Sequence, residues 1–198
     1  MTDRALAAVN YADFKKDLSA SGCSLCALSK SRTQLVIDRG DPGARVLFVG
    51  EAPGEKEDLQ GKAFVGRSGR LLDEMLRELG FDTDRDALIA NVVKCRPPKN
   101  RAPYPDEAKT CLPYLRKQIE LVKPEWILFL GATAFRHLIP EKKGLAMAKE
   151  VGLIFEHSLY PGIHLMALYH PAFILRDPRK RPLMSRHLRL FVDAWKQN

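Results

Sequence analysis

The sequence predicts an α/β fold: a parallel or mostly parallel sheet flanked by helices. Three observations carry that expectation. Short apolar runs alternate along the chain with stripes at helical spacing, the signature of strands joined by crossover helices. The runs Val46-Leu47-Phe48-Val49, Leu88-Ile89-Ala90-Asn91-Val92-Val93 and Trp126-Ile127-Leu128-Phe129-Leu130 are almost wholly apolar, as strands buried on both faces require. Between the first run and the next helical stripe lies a long glycine-containing loop, Gly50 to Arg70, and a strand–loop–helix passage is where such folds hold ligands.

Taken in order, Tyr11, Phe14 and Leu18 fall at helical spacing and predict a short helix over 10–20. A polar stretch, Ser19 to Ser31, carries Cys23 and Cys26, and Gly40-Asp41-Pro42-Gly43 is a turn. The first buried strand is expected over Arg45 to Val49. After the loop, Ser68 is expected to cap a helix with the stripe Leu71, Leu72, Met75, Leu76 and Leu79, stopped by Gly80. Asn91 is the one polar interruption of the second strand. Its amide needs partners, from neighbouring backbone or from a ligand. Lys94 to Arg101 reads as a stiff basic loop. Pro105-Asp106-Glu107 opens a helix, within which Pro113 is expected to force a kink or a restart. The third strand is followed by a short helix from Gly131 through Leu138, a loop over 139–152, and strands at Ile154-Phe155 and Leu165 to Leu168. Tyr169-His170-Pro171 then ends a strand, and Met184, Leu188, Phe191 and Trp195 mark a C-terminal helix. The topology brings Gly50 onward, Asn91 onward and His170 to one end of the sheet.

The 198 residues suit one domain, expected over 1–198, with the N-terminal helix and cysteine loop at 10–32. No apolar run approaches the ~18–20 residues of a membrane span, and the N-terminus has no apolar signal core. The expectation is a cytoplasmic monomer with no membrane partner. A net charge of +8 favours a polyanion, most simply nucleic acid. The charge is concentrated: Arg176, Arg179, Lys180, Arg181, Arg186 and Arg189 face a single acid, Asp177, in that stretch. In a cytoplasmic chain Cys23, Cys26, Cys95 and Cys111 are not expected to form disulfides. Four thiolates suit tetrahedral zinc or an iron–sulfur cluster. Phosphate-loop, dinucleotide-binding, H-E-x-x-H and G-x-S-x-G patterns are all absent.

GEAPGEKED followed by GKAFVGRSGRLL, then NVVKCRPPKNR, then YHPAFILRDP closely resemble the motifs of family 4 uracil-DNA glycosylases. The resemblance runs from about Cys23 to the C-terminus. It implies a three-layer α/β/α fold, deoxyuridine in DNA as substrate, and hydrolysis of the N-glycosidic bond to free uracil and an abasic site, with no lyase step. It also implies a [4Fe–4S] cluster on Cys23, Cys26, Cys95 and Cys111, which would order the Cys95–Cys111 segment against DNA.

On that footing Phe64 offers a face for the flipped base, beside Gly50 and Ala52. Asn91 pairs with the pyrimidine edge, and a fixed amide would discriminate against cytosine. His170, in a His-Pro-Ala form of the second motif, stabilises the departing anion at uracil O2. Better-known uracil glycosylases hold the attacking water with an Asp where this chain has Ala52, which leaves that role to Glu51 or Glu57. Glu51 is favoured, with Glu57 shaping the pocket near uracil C5. Leu175, Arg176, Arg179, Lys180 and Arg181 are expected to contact DNA.

Three other readings compete. The UdgX branch of the superfamily forms a covalent bond to DNA through a histidine in an inserted basic loop. No His lies between Asn91 and Cys111, so turnover is expected instead. A non-catalytic DNA-binding protein with a four-cysteine metal site explains the charge but not the convergence of Glu51, Phe64, Asn91 and His170. An electron carrier fits a cluster but makes poor sense of the +8 charge and of Asn91.

Overall fold

The computed structural model describes residues 2–140 and 150–197. The expected loop over 139–152 therefore falls largely outside the described residues. The strands are β1 (Arg39–Gly40), β2 (Val46–Gly50), β3 (Ala87–Asn91), β4 (Trp126–Leu130), β5 (Ile154–His157) and β6 (Tyr160–Leu168). The helices are α1 (Thr2–Ala7), α2 (Tyr11–Ala20), α3 (Glu55–Gln60), α4 (Arg67–Arg77), α5 (Pro105–Val122), α6 (Ala132–Leu138), α7 (Pro171–Arg176) and α8 (Arg181–Gln197).

All six strands form one sheet in the order β1-β3-β2-β4-β6-β5. The inner four are mutually parallel, and β1 and β5 pair antiparallel at the edges. Every residue of β2, β3 and β4 is buried, because helices cover both faces. Strand alternation divides the core in two. Leu47, Val49, Leu88, Ala90, Ile127 and Phe129 face Phe14 and Leu18 of α2, Leu115 of α5 and Phe135 of α6. Val46, Phe48, Ile89, Trp126 and Leu128 face Leu72 and Met75 of α4 and Leu188 and Phe191 of α8. Each such Leu or Phe contributes roughly 1.5–3 kcal/mol by leaving water. The result is helix, sheet and helix in three layers.

Several local expectations need correction. Helix α1 and the two-residue β1 were not anticipated. Ser68 does not cap α4: Gly66 occupies that position, with no capping side chain. Pro113 does not restart α5, which is one helix from Pro105 to Val122. Pro113 is exposed, so the carbonyl it leaves without a helical donor can bond water. Lys94 is not part of a basic surface. It is 1 % exposed, and its ammonium donates to the Asn91 carbonyl at 2.8 Å and to Gln118 Oε1. Gln118 continues the chain to Tyr11 Oη, which donates to Asp38 at 2.8 Å.

Because β3 and β4 flank β2 on opposite sides, the chain leaves β2 in one direction and returns in the other. The carboxyl end of β2 is therefore the switch point where open α/β sheets form a crevice.

Candidate functional site

A cleft of about 730 Å³ opens at that switch point. Its walls include Glu51, Ala52, Glu57 and Phe64 from the segment after β2, Asn91 from β3, Leu130 at the end of β4 and Gly131 after it, and His170 and Arg176 after β6. The sheet register brings the first of these together, since Gly50 sits directly beside Asn91. Gly50 must be glycine here. A Cβ at that position would lie 2.4 Å from Asn91 Oδ1 and 2.5 Å from Phe64 Cε2, well inside contact distance.

Phe64 is 5 % exposed, and its ring centroid is 5.7 Å from that of His170, with the planes tilted by 40°. Its backbone has φ +54°. A non-glycine residue in the left-handed region costs roughly 1–2 kcal/mol, so the surrounding structure imposes this conformation. Asn91 is 1 % exposed. Among the described residues neither its Oδ1 nor its Nδ2 has a hydrogen-bond partner, although nearly all buried polar side-chain atoms have one. The backbone of the strand end is satisfied, with Val92 N–H donating to Gly50 O at 2.9 Å. Only the amide pointing toward the cleft is left open.

His170 is the N-cap of α7. Its Nδ1 accepts the Ala172 N–H at 3.1 Å. That contact requires a lone pair on Nδ1, so the ring proton of the neutral imidazole sits on Nε2. Burial, assisted by the Arg176 guanidinium, pushes the His170 pKa down to about 4. The imidazole is thus a neutral Nε2–H donor at physiological pH.

The two loop glutamates differ. Glu57 is buried, and its Oε1 accepts the Gly66 N–H at 2.7 Å, which ties the two ends of the loop. Glu51 lines the cleft, and its carboxylate has no hydrogen-bond or ion-pair partner among the described residues. Asp58, another acid of this loop, is also structural: it accepts from the Thr33 and Gln34 N–H groups.

Of the basic candidates, Arg176 lines the cleft and Leu175 is 37 % exposed beside it. Lys180 is exposed, Arg179 pairs with Asp177 at 2.7 Å, and Arg181 pairs with Glu74 of α4 at 2.6 Å. Sequence reasoning missed further cations on the cleft wall: Lys56, Arg67, Arg70 and Arg101. Arg67 and Arg70 stand within the quoted loop, and their position just before the helical stripe at the strand's carboxyl end was the available signal.

On the side of the sheet covered by α2 and α5, all four cysteines line a second, apolar cavity with Leu18, Leu25, Leu35 and Tyr114. No two of them form a disulfide. Arg32 Nη1 donates to Cys95 Sγ at 3.2 Å, and Lys94 N–H to Cys111 Sγ at 3.3 Å. Among the described residues, no three His, Cys, Asp or Glu side chains close on a single point as ligands of one ion. No helix among them is long and apolar enough to cross a membrane.

Comparison with known proteins converges on one family. The family described as the uracil DNA glycosylase superfamily matches residues 37–197. The type-4 uracil-DNA glycosylase of Thermotoga maritima is 43% identical over 155 residues, covering 78% of this chain and 79% of that protein. The type-4 enzyme of Pyrobaculum aerophilum is 41% identical over 178 residues, 87% of this chain and 89% of that one. A type-5 uracil-DNA glycosylase from the same organism is more distant, 32% identical over 147 residues, 67% of this chain and 63% of that one. The switch-point cleft, the four cysteines and these matches agree, and the chain belongs to the uracil DNA glycosylase superfamily.

Proposed function

We propose that the chain is a DNA-repair glycosylase that hydrolyses the N-glycosidic bond of deoxyuridine in DNA, releasing uracil and leaving an abasic site. The observation that carries this reading is the Asn91 amide, buried and unpartnered at both ends beside Phe64 and His170. An amide in that state is completed by a ligand offering one donor and one acceptor side by side, and uracil N3–H and O4 are such a pair.

The base must leave the duplex to reach it, at a cost of a few kcal/mol. Cations on the cleft wall, Arg67, Arg70 and Arg176 among them, offset this by holding phosphates. Leu175 is placed to fill the gap, and Lys180 meets the backbone beyond; Arg179 and Arg181 reach DNA only by exchanging their present carboxylate partners for phosphate. In the cleft the uracil ring stacks on Phe64, whose own ring packs over Gly50, with Ala52 beside it. As the glycosidic bond lengthens, negative charge gathers on uracil, and His170 Nε2–H meets it at O2. A neutral donor suits this step: it stabilises the anion without having to give up a proton. Glu51 takes the water that attacks C1′, because its carboxylate is free while that of Glu57 already accepts Gly66 N–H. Glu57 instead holds the loop and narrows the pocket at uracil C5.

The four-cysteine cavity fits a [4Fe–4S] cluster held by Cys23, Cys26, Cys95 and Cys111, because four soft sulfur donors surround one apolar space with N–H donors already aimed at two of them. Such a cluster would supply a structural tie between the N-terminal loop and the start of α5. Reduced thiols of this kind fit the cytoplasm. On this reading the chain is a monomer, with residues 1–198 folding as one unit.

The test is incubation of purified protein with an oligonucleotide carrying a single deoxyuridine, with chromatography of free uracil and alkaline cleavage of the strand. Release of uracil with alkali-dependent cleavage is expected. DNA binding without release would leave the non-catalytic reading, and a shifted band in a denaturing gel would mark an adduct.

A further inference from the structure

Phe64 holds a disfavoured backbone conformation, and the groups that hold it there include one outside every motif named so far. Arg39, on the edge strand β1, has a side chain 11% exposed. Its Nη1 donates to the Phe64 carbonyl at 2.9 Å and to Asp73 Oδ2 at 3.0 Å. Its Nη2 donates to Asp73 Oδ1 at 2.5 Å and to Thr83 Oγ1 at 3.0 Å. Thr83 in turn donates to Asp73 at 2.7 Å, so the guanidinium is gripped in its own plane by a bidentate carboxylate and a hydroxyl. From the other side, α4 presses against the same peptide. A Cβ on Gly69 would lie 1.7 Å from the Phe64 carbonyl oxygen, so only glycine lets the helix come this close. The Phe64 peptide is trapped between Gly69 and the Arg39 fork, and its ring is thereby presented over Gly50.

We infer that Arg39, locked by Asp73 and Thr83, is a positioning residue for the reaction: it sets the plane of the Phe64 ring on which the flipped base stacks. This rests on Phe64 being the stacking face. Removing the fork leaves the peptide free to leave the left-handed region, and the ring turns with it. The loss falls on the step after DNA is bound, since Arg39 does not line the cleft and bonds none of its cations.

A double-mutant cycle tests this. Single-turnover rates at saturating uracil-containing oligonucleotide are measured for the wild type, Arg39→Met, Phe64→Ala and the double variant, together with the dissociation constant for abasic-site DNA. Arg39→Met is expected to slow the reaction about tenfold when Phe64 is present and less than twofold in the Phe64→Ala background, with DNA affinity moved less than twofold. Melting temperature falls by the same amount in both backgrounds and does not decide the matter. An equal slowing in both backgrounds makes Arg39 a structural residue and overturns the inference alone. If Phe64→Ala is as fast as the wild type, the stacking role itself is wrong, and the inference goes with it. Should Arg39→Met be recovered unfolded, Asp73→Asn, which loosens the fork while keeping the guanidinium, runs through the same cycle under the same criteria.

Discussion

Asn91→Leu should make the protein more stable and nearly inactive. Leu matches the branched shape of Asn, so its two methyl groups occupy the places of Oδ1 and Nδ2. In the free protein those atoms are buried and unpartnered, and each buried unsatisfied polar group costs about 1–3 kcal/mol. Gly50 lies close by, near enough that a Cβ added to it would be 2.4 Å from Oδ1, and a methyl wider than an oxygen takes back part of the gain. A net stabilisation of about 1–2 kcal/mol remains, or roughly 2–8 °C in Tm at about 2–4 °C per kcal/mol for a chain of this size. In the complex the same change strands uracil N3–H and O4 without partners in a dry cleft. Sites built to hydrogen-bond a group lose about 10⁴–10⁵ when the pairing is lost. Calorimetry and single-turnover uracil release measure both halves. A variant that melts lower and still releases uracil at the parental rate refutes the claim that Asn91 is held open for the base.

Three further outcomes follow from the site. With its folded pKa depressed to about 4 by burial and then by Arg176, His170 stays neutral from alkaline pH down through 5. Its stability contribution is whole above the unfolded value near 6.5 and drains away between there and 4. The pH–rate profile should therefore show no break near 6.5, and an acid limb there that vanishes in His170→Ala would contradict the neutral-donor role. Glu51→Gln should slow single turnover by about 10²–10⁴, the usual worth of a positioned base. Glu57→Gln should slow it far less, because an amide oxygen can still accept the Gly66 N–H; the reverse order would exchange the two roles. Cys95→Ser should abolish the broad visible absorbance of the cluster and lower solubility, and a soluble variant with unchanged absorbance removes Cys95 from the ligand set.

What the sequence made legible follows the reach of its signals. Strands β2, β3 and β4 announce themselves because burial on both faces demands unbroken apolar runs. Asn91 stands out for the same reason, as a polar residue where nothing polar is needed. Strand β1 has two residues, too few for any periodicity, and it exists because Gly40 fits against β3. Lys94 looks basic and exposed beside Arg96 and Lys99, yet Gln118, 24 positions on, and the Asn91 carbonyl absorb its charge inside the core. The cap of α4 was misplaced because Glu57 grips Gly66 across the loop, a contact that residue type does not encode. Arg39 escaped for a plainer reason: its partners lie 25, 34 and 44 positions away, and only the fold brings them together.

The unpartnered state of Asn91 also limits what it can do alone. Oδ1 and Nδ2 differ only by a half-turn of the amide, and among the described residues no hydrogen-bonding group fixes which way it faces. Turned one way it matches uracil; turned the other it matches cytosine, whose edge presents the opposite pattern. The proposed rejection of cytosine would then draw on a second element as well, and His170 is placed to be that element. Its donor cannot be reversed, because the Ala172 N–H occupies Nδ1 and leaves the proton on Nε2. A fixed donor at O2 rewards the base that leaves as the more stable anion, and uracil, with two carbonyls to spread the charge, is that base. Selectivity is then divided. In the proposed mechanism the amide would select for a paired pyrimidine edge at binding, and the imidazole for the better leaving group at the transition state, where differences in binding become differences in rate. On that proposal the base it meets would choose the orientation of Asn91, and the commitment to cleave would be made at O2.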